Sequence, residues 1–183
     1  KRADIDRTVE RTLAEVGPID VVLNVAGVNR RKPAEEVTEE DFDFILDINL
    51  KGAFLMAQAV GRGMLARGRG NQIHVVSLNN YAPLPWVLPY AASKAALGHL
   101  TRGLATEWGP RGVRVNAIAP GFILTDLSKA LWANPVMRAW GEQNAPLGRL
   151  GVPEDLVGTA LFLASEASAY MTGQVLFVDG GFS

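Results

Sequence analysis

Ile19-Asp-Val-Val-Leu-Asn-Val25 is short, β-branched and almost continuously apolar, and it runs directly into Ala26-Gly27. A strand with one wetted face alternates apolar and polar residues. A run without alternation reads as a strand covered on both faces. Three further runs share this character: Gln72–Leu78, Val113–Ala119 and Gln174–Asp179. Long segments with helical spacing lie between them. Strands that alternate with helices predict an α/β fold, a doubly wound parallel sheet of the Rossmann-like kind with flanking helices. No internal repeat or low-complexity linker divides the 183 residues, so residues 1–183 are expected to form a single domain.

The helix boundaries follow from local chemistry. The first helix should end near Val16, before Gly17-Pro18. Thr38-x-x-Asp41 has the form of a capping box and should start a long helix reaching about residue 67. Glu35, Glu36, Glu39, Glu40, Asp41 and Asp43 crowd that helix's positive end, and we read them as dipole compensation on a solvated face rather than a metal site. Pro153 should open another helix. The stretch from Gly121 to about Gly151 has weak periodicity and two tryptophans, Trp132 and Trp140. Inserted after a strand's C-terminal end, it reads as a substrate lid.

Composition excludes several classes. Lys+Arg 18 against Asp+Glu 19 leaves a net charge of −1, without the basic excess of a nucleic-acid binder. No uninterrupted apolar run reaches the ~18 residues of a membrane span. With no cysteine there is neither a disulfide framework nor a thiolate metal site, and a cytoplasmic location is expected. No secretory signal pattern opens the chain. Gly61-Arg-Gly63-x-x-Ala66 fits the loose dinucleotide pattern, but it follows a helix and precedes a strand. It is therefore read as a helix C-terminus and turn. His74 lies in an apolar strand and is read as a satisfied core histidine, and His99 has no partner at ligand spacing.

The chemistry concentrates in Tyr90-Ala-Ala-Ser-Lys94. The phenol and the ammonium share a helix face at i and i+4. Lys94 extends an apolar row of Leu97, Thr101, Leu104 and Trp108, whereas a solvated lysine belongs opposite such a row. A cation near a phenol should lower its pKa from about 10 and suit it to acid–base work. Ser77 ends its strand, Asn24–Gly27 ends another, and Pro120-Gly121 ends a third. Ligands of open α/β sheets bind beyond these carboxyl ends. Asn49 falls inside the apolar stripe of the helix from Thr38, where a buried amide must find partners. Gly52 loosens that helix, and a kink there would aim Asn49 at the site.

Together these residues resemble the short-chain dehydrogenase/reductase family along the whole chain. The resemblance rests on Asn24-x-Ala-Gly27, Asp47-x-Asn49-Leu50-x-Gly52, Ser77, Tyr90-x-x-x-Lys94, Arg114-x-Asn116, Pro120-Gly121-x-x-x-Thr125 and Asp179-Gly180-Gly181. It implies hydride transfer between an alcohol and a ketone with NAD or NADP. Tyr90 would be the acid/base, and Lys94 would tune it and bind the nicotinamide ribose. Ser77 would hold the substrate oxygen, and Asn49 would anchor a water in a proton relay. Asn24, Ala26 and Gly27 would line the adenosine side of the cofactor, and Pro120, Gly121, Ile123 and Thr125 the nicotinamide end. Val25 stands where the family usually has a second Asn. The family's glycine-rich phosphate loop would precede Lys1, and at about 30 residues per strand-helix unit some 60–75 residues would carry it. Homotetramers are implied as well. Consistent with a partner, Leu55 and Met56 give the helix at 38–67 a second apolar side.

Asn24–Pro33 and the stretches Tyr90–Lys94 and Thr125–Leu131 look most like gluconate 5-dehydrogenases and related sugar-acid dehydrogenases. This makes a small sugar acid or polyol the expected substrate, with a 3-oxoacyl-thioester reductase or a silent assembly subunit as alternatives. Arg30-Arg31-Lys32 follows the first strand, and Arg30 or Arg31 is expected to grip a substrate carboxylate.

Overall fold

The computed structural model describes residues 1–183. Four parallel strands stand in the order β1-β2-β3-β4: Val21–Asn24, Gly70–Val75, Val113–Pro120 and Val175–Val178. Leu23 pairs with Ile73, Ile73 with Asn116, and Ala117 with Val175, so all four carboxyl ends point one way. Helices α1 (Arg2–Glu15), α3 (Ala53–Arg67) and α4 (Leu88–Trp108) cover one face. They enclose a core that includes Val9, Val60, Met64, Leu104, Trp108 and Val113. Helix α7 (Glu154–Ala164) covers the other face, with Leu163 against Ile73 and Ile118. The doubly wound reading therefore holds, with strand ends within three residues of those expected and β3 one residue longer, to Pro120. The first and last strands are not covered on both faces as their sequences suggest: they are the sheet's edges, and Val21, Leu23 and Phe177 are exposed.

Buried polar side chains tie the layers together. Gln72 donates to the Ala57 carbonyl on one face of the sheet, and Asn71 donates to the Leu163 carbonyl on the other. Asn116 grips the Met171 carbonyl and the Gln174 amide, which fixes the entry to β4. Each contact satisfies a group that would be costly to bury alone. His74 is the core histidine expected. Its Nδ1 lies 3.0 Å from Thr101 Oγ1. The Thr101 hydroxyl already donates to the Leu97 carbonyl, so Nδ1 must carry the proton.

Three expectations are corrected. The run from Glu39 to Arg67 is helical throughout, but residues Asp47–Gly52 form a π-helical turn between α2 (Glu39–Leu46) and α3. Phe42, which apolar spacing on this helix would group with Ile45 and Leu46 toward the core, is exposed, while Ile45 is wholly buried. The 29-residue rod from 39 to 67 is long and apolar enough to cross a membrane, yet Ala53, Ala57, Val60 and Met64 are buried against the sheet and α4. Secondly, Gly61 is no helix end. It lies within α3, where a Cβ would come within 2.7 Å of the Trp108 ring, so the glycine permits two helices to touch. The helix ends at Gly68, with φ 67°. Thirdly, Asp41 is not part of a solvated acidic face. It closes the capping box with Thr38 and is 5% exposed beneath Arg30 and Lys32.

Candidate active site

A cavity of about 360 Å³ opens beyond the carboxyl ends of the strands. Each strand end delivers its residues for a local reason. β2 stops at Val75 and the chain turns at Ser77, whose extended backbone starts a short 3₁₀ turn. β3 ends in Pro120, which cannot extend the ladder. Gly121 then passes so close to β4 that a Cβ would fall 2.5 Å from the Asp179 Cα. Its small size thus serves packing of the chain on itself. Beyond it, residues 122–132 wall the cavity. Phe122 stacks edge-on with Trp132 and Phe182, and tilts onto Trp140. The lid expected from the sequence thus contains α5 (Lys129–Trp132) and α6 (Pro135–Asn144), held by an aromatic cluster.

Ser77, Tyr90, Lys94, Gly27, Pro120, Gly121, Ile123 and Thr125 all line this one cavity. Asn24 and Ala26 do not reach it. Val25, where the family usually has Asn, stands at its edge and is exposed. Lys94 is 3% exposed, and its Nζ donates to the Val75 carbonyl at 2.7 Å. Burial lowers its pKa to about 8.

The expectation for the phenol is reversed in sign. Tyr90 is raised, because burial removes the water that would solvate a phenolate. The opposing, lesser influence is the neighbouring Ser77 hydroxyl, which favours the phenolate. The Lys94 ammonium sits 5.8 Å from the ring centroid. The same burial disfavours its charged form.

Asn49 is wholly buried on the π-helical turn. The widened turn swings it out of register with the flanking helix. Its Oδ1 accepts from the Val28 amide at 2.8 Å, and its Nδ2 donates to the Val28 carbonyl at 2.9 Å and to Ser93 Oγ at 3.0 Å. Ser93 in turn donates to the Tyr90 carbonyl at 2.7 Å. The side chain therefore ties the β1 loop to the helix of Tyr90, and all its polar capacity facing these elements is satisfied by protein.

The two arginines separate. Arg30 turns away from the cavity. It pairs with Asp41 at 2.9 Å and Glu40 at 3.5 Å and lies 4.0 Å over the Phe44 ring. It is therefore a structural cation rather than the carboxylate ligand that its position in the sequence suggests. Arg31 lines the cavity and makes no hydrogen bond or ion pair within the chain. Its pKa is lowered by partial burial.

Reading the sequence missed Asn79. It is 9% exposed, lines the cavity and hydrogen-bonds Ser77. An Asn two residues after a strand-end Ser is a recognisable local signal, because short amides bond neighbouring backbone and hydroxyls. Leu84, Val87, Leu127, Leu131 and Leu156 complete the apolar wall.

The cavity suits the nicotinamide-ribose end of a dinucleotide. A cation, a hydroxyl and a phenol converge within it. A Cβ at Gly27 would take up space only 3.2 Å from Lys94 Nζ.

The family model described as enoyl-(acyl carrier protein) reductase matches residues 1–183. The chain is 41% identical to the gluconate 5-dehydrogenase of Gluconobacter oxydans over 92% of its length, covering 66% of that protein. It is 40% identical to the NAD-dependent glycerol dehydrogenase of Listeria innocua, covering 100% of this chain and 72% of that one. A gluconate 5-dehydrogenase from Burkholderia cenocepacia, solved with NADP and tartrate, superposes with a TM-score of 0.97 at 39% identity, over 100% of this chain and 71% of that one. The chain thus spans about two thirds of the length of these relatives. With the strand order, the cavity and these likenesses together, the chain belongs to the short-chain dehydrogenase/reductase family of NAD(P)-dependent oxidoreductases.

Proposed function

We propose that the complete protein interconverts a secondary alcohol and a ketone on a small sugar acid, with NAD or NADP as hydride carrier. The observation that carries this reading is the convergence of Ser77, Tyr90, Lys94 and the unpaired Arg31 in one cavity. The cofactor supplies the hydride chemistry. Tyr90 takes the proton from the substrate hydroxyl in oxidation and returns it in reduction. Ser77 donates to the substrate oxygen and, before substrate arrives, to the phenol. Lys94, held by Val75, binds the ribose and sits beside the phenol as a cation. Asn49 acts through the loop it pins. Gly27, with Asn24 and Ala26 beyond it, takes the adenosine side, while Pro120, Gly121, Ile123 and Thr125 face the nicotinamide.

Arg31 receives the carboxylate, where a planar guanidinium can meet two oxygens. A free cation at the mouth favours an aldonate over a neutral polyol or an acyl thioester. The relatives named for gluconate and 5-keto-D-gluconate support this choice. The protein works as a homo-oligomer in the cytoplasm. Val157 and Leu161 on α7 stand 51% and 65% exposed, as a face with a partner would.

The test is the complete protein assayed with NAD and with NADP on gluconate, a neutral alditol, and an acetoacetyl thioester. Gluconate should give the highest kcat/KM. Preference for the thioester would replace this reading with the acyl-reductase one, and no turnover of any substrate would leave an assembly role. Light scattering that shows only monomer would remove the oligomer.

A further inference from the structure

Asn79 faces the site without being one of the family-pattern residues, and its hydrogen bonds are directional. Its Oδ1 accepts from the Leu84 amide at 2.9 Å. A backbone N–H can only donate, so this contact fixes which end of the side chain is oxygen. The Nδ2 end must then face Ser77, and it lies 3.1 Å from Ser77 Oγ. The Asn79 backbone amide donates to the same oxygen at 3.2 Å. Ser77 Oγ therefore accepts two N–H groups, which occupies both of its lone pairs. Its own proton has no acceptor on that side. It is left to point into the cavity that Ser77 shares with Tyr90.

We propose that Asn79 is a positioning residue that sets the direction of the Ser77 hydroxyl, holding it as a donor toward the phenol and the substrate oxygen. An unconstrained serine hydroxyl rotates between donor and acceptor roles. Two donors at its back remove that choice before substrate arrives, which is how preorganised dipoles contribute to a reaction. The same amide, through Leu84, holds the 79–84 loop that forms part of the cavity wall. This inference rests on the proposed pairing of Ser77 with Tyr90.

The decisive variant is Asn79→Asp. One carboxylate oxygen still accepts from Leu84, so the loop keeps its anchor. The other oxygen now faces Ser77, cannot donate, and draws the Ser77 proton away from the cavity. In the complete protein, Asn79→Asp should lower kcat about tenfold or more, less than the roughly 10²–10³-fold lost with a preorganised donor itself, because the Ser77 hydroxyl is misdirected rather than removed. The KM for the nicotinamide cofactor should stay within about twofold. In a Ser77→Ala background the same change should cost less than about twofold, because the group it acts through is gone. Asn79→Ala, which adds no charge, should show the same pattern with a smaller loss. It also keeps the test open if the aspartate variant folds poorly.

A second readout needs no substrate. The ultraviolet titration of Tyr90, isolated by difference against Tyr90→Phe, should move to higher pH in Asn79→Ala and should not move when Ser77 is already alanine. Equal losses in both backgrounds, or a Tyr90 titration indifferent to Asn79, would overturn the proposal. If the wild-type protein turns over none of the candidate substrates, the proposed function fails, while the titration still decides the role of Asn79.

Discussion

A side chain at Gly27 would begin 3.2 Å from the Nζ of Lys94 and 3.6 Å from the Oδ1 of Asn49. Lys94 is tied to the Val75 carbonyl and Asn49 to both polar groups of Val28, so a shift of the ammonium strains its hydrogen bond. A methyl group would meet Asn49 at ordinary contact distance but would need the Lys94 ammonium to give by a few tenths of an ångström. Gly27→Ala should fold, since the backbone there lies outside the left-handed region. It should push Lys94 out of place and lower kcat/KM by about tenfold or more, in line with the sensitivity of catalysis to small displacements. Steady-state kinetics beside an unchanged circular-dichroism melt would check this. Kinetics like those of the wild type would show that the contact is slack.

Tyr90→Phe removes one hydroxyl from a partly buried ring and should leave fold and cofactor affinity nearly unchanged. The kcat should fall by about 10²–10⁴-fold, the usual contribution of a proton-transfer group. A variant keeping more than about a tenth of kcat would cancel the role given to Tyr90.

Arg30 and Arg31 are neighbours with different work, and alanine at each should separate them. Arg31→Ala should raise the KM for an aldonate by about tenfold, from a charge-assisted contact of roughly 1.5–3 kcal/mol, and leave the alditol nearly untouched. Arg30→Ala should keep the aldonate preference but lower Tm, because the buried Asp41 carboxylate would keep only Lys32 as an ionic partner. Paired assays on the two substrates, with thermal melts, distinguish these outcomes. Loss of aldonate selectivity in Arg30→Ala would reverse the assignment.

His74 makes stability pH-dependent. Burial, with Lys94 as a lesser cause, holds its pKa at about 4, below its ordinary 6.5. The unfolded chain therefore binds a proton at a pH where the folded chain does not. Stability from this group is complete above about pH 6.5 and falls as the pH drops toward 4. At pH 5 the loss should be about 2 kcal/mol, from 1.36 kcal/mol per unit. Denaturant unfolding at pH 7 and pH 5 measures it. His74→Asn, which can still donate to Thr101, should remove most of the difference.

The sequence by itself determined the class of fold and most of the polar side chains that meet in the cavity. Lack of alternation in residues 19–25 and 174–179 announces strands of a parallel sheet, although full cover on both faces is found only for the central strands β2 and β3. Tyr90 and Lys94 share a helix face by spacing alone. Asn49 in an apolar stripe had to be explained by something it bonds, and the helical loosening expected at Gly52 exists as a π-turn. These are local signals, decided within a few residues.

Only the tertiary structure decided which neighbour each side chain meets. Arg30 and Arg31 are adjacent and chemically alike. One finds Asp41 and the other faces the cavity, a choice made by the fold of the loop onto α2. Gly61 resembles part of a phosphate loop until Trp108, 47 positions away in sequence, is seen against it. The phenol of Tyr90 was expected to be lowered by its lysine and is instead raised by burial, because desolvation depends on everything packed around a group. Asn79 becomes meaningful only when Leu84 fixes which of its ends is the donor. The reason is common to all four: a residue type limits what a side chain can do, but its partner, and the water it loses, are set by distant parts of the chain brought together by folding.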